Sequence, residues 1–233
     1  GSPPPSVQLP RSVARRIDTG SPPAPLRALL RGRAADLCAY QNAAYARRYV
    51  DDVLEVLGIE QRAGTSAGTP VTEAYARSLH KLMAYKDEYE VARLHLDAVE
   101  QARRQAEFGP GAKVEVMLHP PLLRALGLDR KLGVPQAAAR PLFTGLRAAR
   151  RLRGTALDPF GATQLRRLER ALIDEHRAVT RRALAHLTEA NADAVAEVAG
   201  LADLIRGYEQ VKLRTVERYR TAAADRLSAL GAS

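Results

Sequence analysis

Lys86, Asp87, Glu88 and Glu90 place both signs of charge within about one helical turn, with Lys86 on the same stripe as Leu82 and Tyr89. Such a group has two readings. A partly buried lysine–carboxylate pair would contact a substrate or a neighbouring domain, whereas a snorkelling Lys86 paired with Glu90 would be an ordinary solvated edge. A second group is all cationic. Arg140, Arg147 and Arg151 recur at helical spacing with Arg150 and Arg153 beside them, and clustered guanidinium groups suit planar anions such as carboxylate or phosphate. The other reading is a solvated helix face. Asp158, directly before Pro159, is a turn former first and a functional carboxylate second.

Redox and metal chemistry have little to work with. Cys38 is the only cysteine, which excludes an internal disulfide, a cysteine-rich zinc site and an iron–sulfur cluster held by several thiolates of this chain. His80, His95, His119, His176 and His186 show no HExxH or other two-ligand helix spacing. His176 falls on a leucine stripe and is expected to be a satisfied core histidine.

The elements that must position these groups are helical. Ser2 to about Pro25, rich in Pro, Ser and Arg, is expected to be an extended or disordered linker, with Gly1 and Ser2 read as the scar of a cleaved tag. A first helix is predicted from about Leu26 or Ala34 to Leu57, ended by Gly58, on the stripe Cys38, Tyr45, Tyr49, Val53 and Val56. Asn42 lies on that stripe and is expected to be a buried amide. Thr69 and Pro70 supply an N-cap and first-turn proline for a helix to about Ala106, carrying Tyr75, Leu79, Leu82 and Tyr89. Residues 113–118 alternate apolar and polar and are the best strand candidate. Further helices are predicted over 137–153 and Thr163–Leu187, from a Thr188 cap to Gly200, and from about Tyr208 to Leu230, the last burying Leu213, Val216, Ala223, Leu227 and Leu230. The expected fold is mainly α, with six to eight helices over 26–233 and at most a short strand or hairpin near 113–118.

The net charge of +10 over 233 residues invites an acidic partner or nucleic acid, but the charge is uneven. Residues 1–33 carry six arginines against Asp18 alone, and residues 130–157 carry seven basic residues and no acid, so the rest of the chain has a slight excess of acids. No nucleic-acid recognition motif is present, and the tyrosines of the first two helices read as amphipathic core rather than a base-stacking platform. No apolar run approaches the roughly 20 residues of a membrane-spanning helix, and a cytoplasmic location is expected.

Several runs, in order, resemble the helical region of fused indolepyruvate (arylpyruvate):ferredoxin oxidoreductases, members of the thiamine-diphosphate-dependent 2-oxoacid oxidoreductases. They are Ala39-Tyr40-Gln41-Asn42-Ala43-Ala44-Tyr45-Ala46, Leu82-Met83-Ala84-Tyr85-Lys86-Asp87-Glu88-Tyr89-Glu90-Val91-Ala92-Arg93-Leu94, Pro120-Pro121-Leu122-Leu123 and Arg153-Gly154-Thr155-Ala156-Leu157-Asp158-Pro159-Phe160-Gly161. Between about Leu128 and Phe143 the chain departs from that pattern. The resemblance implies a parent enzyme that converts an arylpyruvate, coenzyme A and oxidised ferredoxin into an aryl-acetyl-CoA, carbon dioxide and reduced ferredoxin.

Thiamine diphosphate, magnesium and [4Fe-4S] clusters would belong to other segments of that parent, because neither Gly-Asp-Gly nor Cys-x-x-Cys occurs here. No catalytic, cofactor-binding or metal residue carries over. The resemblance implies partners in the catalytic domains of the same or another polypeptide. Ferredoxin or the coenzyme A diphosphate is a further candidate for the 137–153 arginines, and self-association is open. The competing expectation is a free-standing basic helical module that binds nucleic acid or an acidic protein.

Overall fold

The computed structural model describes residues 9–65, 68–85, 87, 89–90, 93, 144–145, 148–153, 155, 158, 163–207 and 209–232. They divide between two compact units, one from Gly1–Ala84 with Gln164–Ser233 and the other Tyr85–Thr163. The strand candidate at 113–118 lies outside the described residues. What is described is mainly α.

The first unit holds α1 (Arg11–Thr19), α2 (Ala24–Tyr40), α3 (Ala43–Arg62), α4 (Pro70–Met83), α5 (Gln164–Leu184), α6 (Ala192–Gly200) and α7 (Glu209–Ala229). Short 3-10 turns at Glu189–Asn191 and Leu201–Leu204 flank α6. The helix α4 is central, packing against α2, α3, α5 and α6. Its Tyr75, Leu79, Leu82 and Met83 meet Leu30 and Leu37 of α2, Tyr49 and Val53 of α3, Leu172 of α5, and Val195 and Val198 of α6 in one core.

Residues 11–19, within the stretch expected to be extended, form α1. Val13 and Ile17, one turn apart, are fully buried, and α1 packs on α3. Three of that segment's described prolines stand at helix starts instead. Pro10 precedes α1, Pro23 is the N-cap of α2 and Pro25 lies in its first turn, where a missing N–H costs nothing.

The predicted first helix is two helices. Asn42, with extended backbone, breaks it, and its side chain accepts a hydrogen bond from the Tyr45 N–H at 2.8 Å. It caps α3 rather than serving as a buried amide. Replacing Asn42 with Ala is expected to cost about 1 kcal/mol in chemical unfolding, the usual loss for an N-cap. Gly58, predicted as a stop, sits inside α3. The helix α4 ends at Met83, where Ala84 closes it by bonding back to the His80 carbonyl, so no continuous helix reaches Ala106.

In α7, Val216, Ala223 and Leu227 are buried as predicted, but Leu213 is 44% exposed and the large core residue is Tyr219. Lys212 pairs with Glu169, which fixes that end of α7 against α5 by charge. The same device recurs at other seams: Arg16 pairs with Asp51, Arg177 with Asp52 at 2.6 Å, and Arg220 with Glu175 at 2.9 Å.

His176 lies fully buried on α5, stacked on Tyr75 and tilted against Tyr219. Its Nδ1 is 3.3 Å from the Tyr219 hydroxyl, while Nε2 has no hydrogen-bond partner, so the ring is in the core as expected but only half satisfied. Burial pushes its pKa down to about 4, against a smaller opposing pull from the Ala199 backbone. The folded state therefore keeps the neutral ring. Above pH 6.5 both states are neutral and stability is complete. As pH falls from 6.5 toward 4 the unfolded chain takes up a proton that the folded one refuses, and about 3 kcal/mol is lost. Urea titrations across that window should show the slope in the native chain and a smaller one in His176→Phe.

Candidate functional site

The charged residues singled out in the sequence meet in the second unit. Asp87 starts a helical turn, and its Oδ1 accepts the Glu90 N–H at 2.8 Å, which fixes the carboxylate beside the chain. A short 3-10 turn, Arg150–Leu152, ends at Arg153, whose own N–H bonds the Arg150 carbonyl at 3.3 Å. Arg153 then reaches across to Asp87. Its Nε donates to Oδ2 and its terminal nitrogen donates to Oδ1 at 2.7 Å, a two-point pair in which both side chains are almost wholly buried.

Tyr89 ties the same two segments a second time. The Arg153 guanidinium lies 5.3 Å from the centre of its ring, and its hydroxyl donates to Asp158 Oδ1 at 2.9 Å. Burial raises the Tyr89 pKa, and the bond to Asp158 adds to the shift. The proton stays on the phenol. Beside it, Arg93 grips both oxygens of Glu90, at 2.9 and 2.6 Å.

The sequence-derived site is thus partly assembled and partly redrawn. Asp87, Glu90 and Asp158 fall in one network. Glu90 pairs with Arg93, while Lys86, the partner expected for it, and Glu88 lie outside the described residues. Arg153, read from the sequence as part of a basic face, is only 5% exposed and belongs to the network. Arg150 is half-buried, the Arg151 side chain is not described, and Arg140 and Arg147 lie outside the described residues.

Tyr89 is the site residue that sequence reasoning missed, since its spacing reads only as part of an apolar stripe, and Arg153 falls in the basic group without its partner. The sequence offers only a weak signal: Asp87 and Tyr89 stand two residues apart in one run and Arg153 and Asp158 five apart in another, with nothing to mark Arg153 as buried.

Chemically, the described members of the network engage one another. The two Asp87 oxygens, the Tyr89 hydroxyl and the Glu90 carboxylate are all spent on one another's partners, which favours a fixed shape over proton transfer. Among the described residues no group of three or more His, Cys, Asp or Glu is placed to hold a metal ion. Nor, among these residues, is any helix long and apolar enough to cross a membrane.

Residues 26–225 match a family described as a family of unknown function (DUF6537). The chain belongs to that family. The DUF6537 match takes in the whole Asp87–Arg153 network, runs from α2 into α7, and leaves α1 outside. No curated protein and no solved structure matches the chain.

Proposed function

We propose that this chain is a non-catalytic helical domain of a thiamine-diphosphate-dependent indolepyruvate/2-oxoacid:ferredoxin oxidoreductase, where it serves packing, subunit assembly or docking. The observation that carries the reading is the buried network. The Lys-Asp-Glu-Tyr-Glu run and the Leu-Asp-Pro-Phe-Gly run are the most specific elements of the resemblance; the hydrogen bond Tyr89–Asp158 joins them, and the ion pair Asp87–Arg153 ties the first to the start of the longer matching stretch 153–161.

A buried ion-paired cluster suits a scaffold role, because its described groups hold two chain segments in register. The chemistry of the parent, oxidative decarboxylation of an arylpyruvate with ferredoxin reduction, would then rest on segments that carry the thiamine diphosphate, magnesium and [4Fe-4S] sites.

The test is association with those segments. Mixed with the thiamine-diphosphate and cluster-binding segments of a fused indolepyruvate oxidoreductase, the chain is expected to co-elute on size exclusion at physiological salt. Separate elution, together with duplex DNA binding that falls steeply with salt, would overturn this reading in favour of a free-standing basic module.

A further inference from the structure

The first unit carries one buried polar group that its own side chains and backbone leave unserved at the edge of a crevice. Thr180, on α5 one turn beyond His176, is 1% exposed, and its Oγ1 has no hydrogen-bond partner in the protein. A buried threonine on a helix usually returns its hydroxyl to the carbonyl four residues back, and a hydroxyl buried without any partner is costly. Beside it lies a small crevice between α3, α4 and α5, lined by Asp52, Glu55, Tyr75, Arg177, Thr180 and Arg181.

The lining decides what fits. Arg177 is held by Asp52 at 2.6 Å and Arg181 by Glu55 at 3.4 Å, so the cations are matched by carboxylates and the site favours neither an anion nor a cation. The room for a guest is about 10 Å³, close to one water. Its lining combines Val56 and Leu184 with Thr180, Tyr75 and charged side chains, residue types that can both donate and accept, as a water with two to four partners needs. We infer that the crevice is the binding site of a single ordered water, hydrogen-bonded to Thr180 Oγ1 and tying α5 to α3 and α4.

A high-resolution crystal structure of the full chain tests this. A well-ordered water is expected about 2.7–3.2 Å from Thr180 Oγ1. Thr180→Ser should keep that water. Thr180→Val, which preserves shape and deletes the hydroxyl, should lose it and lower Tm by roughly 2–4 °C. Empty density beside Thr180 in the unaltered chain would overturn the inference, as would a rise in Tm for Thr180→Val, since deleting a dry, unserved hydroxyl stabilises. If Thr180→Val fails to fold, the density in the unaltered chain decides alone.

Discussion

Replacing Arg153 with Ala is expected to lower the unfolding free energy of its unit by about 3–5 kcal/mol, the cost of leaving one member of a buried ion pair uncompensated. Asp87 has nowhere to turn, since both its oxygens face the guanidinium and its side chain is 3% exposed. Tyr89 loses the cation over its ring in the same step. Asp87→Ala should cost a similar amount for the mirror-image reason, a stranded guanidinium. The pair is not thereby a large net source of stability, because desolvating both charges offsets much of their attraction. An apolar double replacement, Asp87→Leu with Arg153→Met, should therefore recover most of what either alanine variant loses. Hydrogen exchange and urea unfolding of the four proteins check this. If each alanine variant loses under about 1 kcal/mol, the pair is not buried as described.

The contrast between that network and the helical unit shows what a sequence reveals. Helix faces were legible because their partners lie one or two turns away: Tyr75, Leu79 and Leu82 on α4, and Val216, Ala223 and Leu227 on α7, are buried as their spacing implies. Helix ends were not. Cys38 and Tyr45 are seven residues apart, two turns of an uninterrupted helix, so the stripe stays in phase across the break at Asn42 and hides it. Leu82 and Tyr89 have the same spacing, and it concealed the end of α4 at Met83 in the same way.

The site was legible by residue type and illegible by pairing. Asp87 and Asp158 stand out as carboxylates, but their partners are 66 and 69 residues away, and no local period encodes such a choice. The burial of Arg153 went unrecognised because a cation in a run of cations looks solvated until the fold buries it.

Glu60→Ala is expected to cost about 3 kcal/mol or more, although neither charge nor spacing marks Glu60 in the sequence. It sits near the end of α3 with no exposed surface, and its carboxylate accepts the Val71 N–H at 2.9 Å, the Thr72 N–H at 2.8 Å and the Thr72 hydroxyl. These N–H groups open α4, where no intrahelical acceptor exists, and the residue expected to cap them, Thr69, makes no side-chain bond there. A carboxylate from another helix does the work, favoured further by the positive end of the helix dipole. Truncating it orphans two buried donors at roughly 1–3 kcal/mol each, whereas Thr69→Ala should cost well under the ~1 kcal/mol of a true cap. Because α4 is the helix on which α2, α3, α5 and α6 pack, the loss should appear as a lower urea midpoint for the whole unit. Faster exchange at Val71 and Thr72 alone, with the midpoint unmoved, would mean that α4 frays without weakening its neighbours, and the cap would then be local rather than structural.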